Sequence, residues 1–278
     1  MLFIISLISF IAINLAPNSF FASGELNPNI TPEAIEELKK IYGLDKPLYI
    51  QFFSWIYSIL QLDFGISFTS GEKVKEEILS RIPITLTINI VSMILIFIIS
   101  LYFGIKSAMK KNSIFDRFTN QLSLLSFSMP SFYLALVLVL VFSIKFELFP
   151  IAGIHSVPND GSLNYYLDFA WHLTLPIFII VFGGIGSLIL YIRALTIEIL
   201  KSDYIFFARA RGLDNKKILR YYILPNLYPP VITLLGLSLP GVIGGSVILE
   251  TIFSIDGMGL LFYQSALSHD YPVIMGIL

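Results

Sequence analysis

The sequence predicts an all-α, polytopic membrane protein with six transmembrane helices, and three observations carry that prediction. Hydrophobic residues fill 56% of the 278 positions, charged residues only 13%, and the mean hydropathy is +0.81. A soluble domain carries about 25% charged residues. Positions 1–24, 82–105, 118–144, 169–192 and 221–249 hold no Asp, Glu, Lys or Arg. Each of the last four stretches exceeds the roughly 20 residues that a spanning helix needs. Lastly, Lys and Arg are concentrated in alternate loops. The formal net charge of −1 excludes a strongly basic nucleic-acid footprint, and the absence of cysteine excludes disulfides, thiolate metal sites and a cysteine nucleophile.

Taken in order, residues 1–16 form the first transmembrane helix, ended by Pro17 and short for a crossing. Residues 17–82 form an extracytoplasmic cap. Within the cap, Thr31 as N-cap, Pro32 at the first position, Glu33 in the first turn, Lys39 and Lys40 in the last and Gly43 as stop predict a helix. The uncharged stretch PLYIQFFSWIYSILQL (47–62) holds two glutamines and several aromatic rings. Its length and rings fit a helix lying at the membrane interface better than a span. EKVKEEILSR (72–81) completes the cap. Residues 83–278 form the transmembrane core, interrupted by a cytoplasmic loop at 196–226. Pro130 and Pro176 are expected to kink their spans. The last apolar segment opens after Asp270 and reaches Leu278 in mid-helix, so the first and last spans both read as incomplete.

Loop charges set the orientation. Residues 105–117 hold Lys106, Lys110, Lys111 and Arg117 against the single acid Asp116. Residues 193–220 hold seven Lys/Arg against three acids. Residues 17–82, 145–170 and 250–270 are net acidic. Lys and Arg stay in the cytoplasm, so the two basic loops face inward, the other three face outward, and both chain ends lie inside.

The second basic loop carries the strongest local signal. In DYIFFARARGLDNKK (203–217), Ser202 is placed to cap a short helix, Asp203 suits its first turn and Gly212 its end. Asp214 is placed to cap a second helix. Helical spacing puts Phe206, Phe207 and Ala210 on one face, with Arg209 and Arg211 elsewhere, and small Ala208 and Ala210 admit a close surface. Two phenylalanines on a short loop helix mark either a docking site or an interfacial helix folded onto its own bundle.

Other candidates are weaker. His155, His172 and His269 lie in outer loops or span ends without i, i+4 pairing, which favours interfacial packing over a metal site. Glu250 ends an uncharged run. It is either an acid near the outer rim of a pathway or the water-facing end of a helix. LPGVIGG (239–245) suits close helix packing, with a kinked pathway wall as the other reading. Ser126, Ser128 and Met129, in SFSMP (126–130), fall mid-membrane and are candidates for lining a path.

The loop DYIFFARARGLDNKKILRYYILPN resembles the cytoplasmic loop of permease subunits of ABC importers. More narrowly it resembles the peptide, oligopeptide and nickel branch, with Asp203, Tyr204, Ala208, Arg209, Ala210, Gly212, Leu213, Asn226 and Pro230 in the branch pattern. Phe206 and Phe207 stand where the broader importer pattern has Glu and Ala, and Tyr222 where it has Ile. NLAPNSF (14–20), LKKIYGLDKPLYIQFFSWIYSILQLDFGIS (38–67), RIPITLTI (81–88) and ETIFSIDGMGLLFYQSALSHDYPVI (250–274) extend the resemblance nearly end to end.

The resemblance implies a pore-forming subunit of an ATP-driven importer in the cytoplasmic membrane of a prokaryote, carrying peptides, with nickel or another small solute as the alternative. It implies pairing with a second permease subunit, two ATPase subunits that use ATP and Mg, and an extracytoplasmic substrate-binding protein. Asp203, Tyr204, Phe206, Phe207, Ala208, Arg209, Ala210, Gly212 and Leu213 would then form the ATPase-coupling segment. No phosphate-binding Gly-Lys-Ser/Thr motif occurs in the chain, so no catalytic residue, bound cofactor or metal is expected. An ATP-independent secondary transporter is the alternative from another class. It would bring inverted repeats and charged or unwound residues inside spans, and the sequence displays neither.

Overall fold

The computed structural model describes residues 46–278 and, of the N-terminal apolar stretch, residues 4, 6–8, 10 and 11. The expected helix at 31–43 and most of the first span lie outside the described residues. The chain divides into two units, residues 1–83 with 256–278, and residues 84–255.

In the first unit, helix α1 (Leu48–Leu60) covers almost all of the 47–62 stretch expected to be helical. Its buried face centres on Phe52, which packs with Phe10 and Met275 and has Trp55 and Ile56 alongside. Tyr49, Phe53, Tyr57 and Leu60, at near-helical spacing, form an exposed stripe on the other side. Helix α2 (Val74–Met109) begins in this unit, with Val74 packed on Leu261 and Val273. Leu261 and Val273 belong to two short helices near the end of the chain, Met258–Leu267 and Tyr271–Ile277. Arg81 pairs with Asp256.

One buried carboxylate ties the turn before α2 to that C-terminal region. Asp270 accepts hydrogen bonds from the Ser67 hydroxyl (2.6 Å) and from the backbone N–H groups of Phe68 (3.1 Å) and Thr69 (3.0 Å). A charged acceptor strengthens each bond, and removing it orphans all three donors. Asp270→Ala is therefore expected to raise amide hydrogen exchange at Phe68 and Thr69 at least about tenfold, the equivalent of about 1.4 kcal/mol. Unchanged exchange there would refute the assignment.

The second unit contains the rest of α2. Helix α3 (Ile114–Ser128) and helix α4 (Ser131–Leu138), which continues as a π-helical stretch to Lys145, follow it. The span over 118–144, expected to kink at Pro130, breaks there into two helices bent by 98°. Met129 is extended (φ −88°, ψ 119°), as a residue before proline prefers, and Pro130 has no N–H to continue the ladder. Next comes α5 (Leu163–Leu200), which runs through Pro176 for 38 residues, or about 57 Å. That length exceeds the roughly 30 Å hydrocarbon layer.

Helix α5 is the mast of this unit. Half of its apolar window is buried, against 28% for α2 and 11% for the apolar span 215–252. Ile179, Ile189 and Ile192 are fully enclosed along it. Glycine sets how close its neighbours come. A Cβ on Gly186 would lie 2.5 Å from the Ser123 carbonyl oxygen, and one on Gly104 would lie 2.8 Å from the Ile192 side chain. Among the described residues, three helices are long and apolar enough to cross a membrane, or four crossings if the bent pair counts as one.

Candidate functional site

Helix α6 (Asp203–Ala210) forms where the loop pattern requires it. Its N-cap, Ser202, has the expected extended backbone (φ −71°, ψ 151°), yet its side chain makes no cap bond. The hydroxyl turns back and donates to the Ile199 carbonyl at 2.6 Å. The C-terminus is sharper. Gly212 takes φ +78° and its N–H donates to the Arg209 carbonyl (2.9 Å), while the Leu213 N–H donates to the Ala208 carbonyl (3.2 Å). This pair of bonds is the Schellman motif, which requires the left-handed residue that glycine supplies without strain. Asp214 then accepts from the Lys217 N–H (3.0 Å), capping helix α7 (Asn215–Ile218) as expected. A π-helical turn leads on into α8 (Leu224–Gly244).

The helix has two unlike faces. Ile205 and Ala208 are buried, and Ile205 joins a core that also holds Ile105, Ile192, Ile218, Ile223 and Leu227. Leu213 packs against the same core, and the Tyr204 ring stacks on Tyr222 with centroids 6.3 Å apart. Phe206 and Phe207 stay 69% and 61% exposed, beside exposed Arg209, Ala210 and Arg211. Ala208 therefore faces its own core, whereas the sequence reading gave it to an approaching surface. The remaining outward residues form a two-ring apolar knob on a helix fixed from beneath.

The residues proposed to line a path do not assemble. Ser126 is buried, and its hydroxyl donates to the Phe182 carbonyl. It fastens α3 to α5. Ser128 is exposed and Met129 half-buried against the core. Glu250 is not at a water-facing helix end. It is buried, and the Thr85 hydroxyl donates to it at 3.3 Å. It borders a crevice of about 10 Å³, room for about one water, lined by Asn89, Pro176, Ser246 and neighbouring apolar side chains.

Beside that crevice the span 215–252 is unwound. Helix α8 stops at Gly244, Gly245 has φ +67°, and helix α9 (Val247–Ile252) restarts after Ser246. The Val242 carbonyl, whose helical partner would be the Ser246 N–H, accepts from the Asn89 side chain at 2.7 Å instead. Gly241 and Gly244 meet nothing within 4 Å. The close packing expected of LPGVIGG is thus absent among the described residues, and its glycines serve a helix break. The break falls within the stretch for which a kinked wall was the other reading.

Sequence reasoning also missed two polar assemblies. His155 and His172 both approach Asp168, with their Nδ1 atoms 3.6 Å and 3.5 Å from its carboxylate oxygens. His155 stacks on Tyr165 with centroids 3.8 Å apart. The other assembly is an ion pair between Asp116 and Arg193. The only hint of it in the sequence is a single acid inside a basic loop.

Residues 97–278 match the family described as the binding-protein-dependent transport system inner membrane component. Residues 1–89 match its N-terminal companion. The chain belongs to this family. Transport-system inner-membrane components of this kind include several similar relatives. The oligopeptide transport system permease protein AppB of Bacillus subtilis is 35% identical over 98% of this chain and 85% of its own length. The dipeptide transport system permease protein DppB of Lactococcus lactis is 34% identical over 99% and 85%. The peptidoglycan transport system permease protein YejB of Agrobacterium fabrum is 32% identical over 90% and 70%. Membership makes this chain an inner-membrane transport component, and the family match spans both the unwound 215–252 stretch and α6.

Proposed function

We propose that this chain is the pore-forming permease subunit of an ATP-driven importer that moves di- and oligopeptides across the cytoplasmic membrane. The observation that carries the proposal is α6, held by a buried face and a Schellman stop while Phe206 and Phe207 point outward. An exposed apolar knob on a rigid two-turn helix suits a groove on a partner. The relatives named for dipeptides and oligopeptides support a peptide substrate. Nickel or another small solute is the competing cargo.

Two separate ATPase subunits using ATP and Mg drive the cycle, and this chain contributes no catalytic residue, cofactor site or metal. A second permease subunit completes the pore, and an extracytoplasmic binding protein delivers the cargo. Both ends of the full-length chain face the cytoplasm, with the basic loops 105–117 and 193–220. Asp203, Tyr204, Arg209, Ala210 and Gly212 join the two phenylalanines in the docking segment, with Ala208 and Leu213 supporting it from within. Glu250, buried beside the unwound step, is the pathway candidate that lies next to a helix break.

The chain has no cysteine, so a single one can report contact. Ala210→Cys, co-expressed with ATPase subunits bearing single groove cysteines, is expected to give a disulfide whose yield changes with ATP, while Ser70→Cys gives none. Cross-linking from Ser70 and not from Ala210 would overturn both the docking role and the orientation.

A further inference from the structure

We infer that Arg193 and Asp116 form a staple that transmits the movement of α6 to α2 and α3, which makes them positioning residues for coupling. The inference rests on the ATP-driven reading above. The Asp116 carboxylate is 2% exposed. Arg193 grips it with two bonds, Nε to Oδ1 at 2.7 Å and an Nη to Oδ2 at 2.9 Å. The Ser107 hydroxyl and the Asn120 side chain also donate to Oδ1, the latter at 3.2 Å, and the Asn112 backbone N–H donates to Oδ2 at 2.8 Å. A carboxylate offers about four acceptor sites, so this one is saturated. Its donors come from the end of α2, the following turn, α3 itself and α5.

The position of the staple gives it a mechanical use. Arg193 follows Ile192, which is fully buried in the same core as Ile205 of α6. Gly104 lets α2 approach that same Ile192 side chain. Adjacent residues of α5 thus serve two elements, one sharing a core with α6 and the next gripping α3. A load on α6 reaches α5 at Ile192, and the bidentate fork passes it to α3 without free play. Helix α3 ends at the 98° bend, so a push at its start is delivered to a joint. A single hydrogen bond would hold the helices together but leave them free to pivot. The planar guanidinium removes that freedom, and an ammonium cannot replace it.

The test uses the complete complex of both permeases, the ATPases and the binding protein, in proteoliposomes. Arg193→Lys keeps the charge and loses the fork. Asp116→Asn keeps the shape and loses the charge. In both, the ATPase subunits are expected to co-purify and hydrolyse ATP, while ATP consumed per peptide imported rises about tenfold. In the doubly substituted Asp116→Cys, Arg193→Cys complex, a short bis-methanethiosulfonate linker is expected to restore the wild-type ratio, and reductant to abolish it again. Wild-type ratios in both single variants, or uptake and hydrolysis falling in equal proportion, or a linker without effect, would overturn the staple alone. Uptake by the unaltered complex that ignores ATP would overturn the importer reading and the staple with it.

Discussion

Replacing Phe206 and Phe207 together by serine is expected to abolish ATP-driven uptake while leaving the permease itself folded and in the membrane. Both rings are mostly exposed, so their loss removes little from the chain's own core. In a partner's groove each ring would bury about 2 kcal/mol of apolar surface. Losing both would then weaken ATPase docking by about two to three orders of magnitude. The measurement is co-purification of the ATPase subunits with a tagged permease, followed by uptake. Ile205→Ser supplies the contrast. That side chain is enclosed against Ile192 and Ile218, so its change is expected to lower the stability of the permease as well as docking. Normal ATPase recovery with the double serine variant would show that the rings contact lipid, as an interfacial helix would.

Gly186→Ala is expected to destabilise the transmembrane core more than any other single-methyl addition on α5. The new Cβ would stand 2.5 Å from the Ser123 carbonyl oxygen, 2.8 Å from Ser126 Oγ and 3.0 Å from the Phe127 nitrogen. Two of those obstacles are backbone atoms, so α3 itself must move. Overpacking of this kind costs about 1–3 kcal/mol, against a helix-propensity gain of about 1 kcal/mol for replacing glycine. Gly183, one turn earlier on the same helix, meets nothing within 4 Å. Gly183→Ala therefore keeps the propensity gain without the clash and is expected to be neutral or stabilising. Thermal unfolding of the purified protein in detergent separates the two variants. Equal midpoints would mean that α3 and α5 do not approach this closely.

Much of the chain was legible because its signals are local. Asp203, Gly212 and Asp214 mark helix ends through backbone chemistry that operates within a few residues, and the structure keeps those ends. The aromatic helix at 48–60 was legible for a similar reason, since length and ring placement alone distinguish it from a span. Ser202 shows the limit of local inference. Its backbone takes the N-cap conformation, but its hydroxyl had a second acceptor one turn back and used that instead.

Several polar residues took their surroundings from partners far along the chain. Ser126 reads as a polar residue free to line a path until Gly186 brings α5 close enough to supply the Phe182 carbonyl. The glycines of 239–245 read as a packing surface until Asn89, from α2, supplies a partner for the carbonyl freed at the break. Asp116 reads as one more loop charge until Arg193, 77 positions later, reaches it. In each case the partner lies far along the chain, and no spacing rule connects the two.

The sequence by itself determined the membrane-embedded all-α class, the alternation of basic and acidic loops along the chain and the short helix with its phenylalanine pair. These follow from apolar run length, Lys/Arg distribution and helix-end chemistry, which act over one helix or less. Pro130 marked where its span bends, but tertiary structure alone decided the angle of 98°, the pairing of Asn89 with the carbonyl freed beside Glu250, the inward turn of Ala208 and the Asp116–Arg193 clamp. A buried polar group must find its partner wherever the packing brings one, and only the folded helices determine which partner that is.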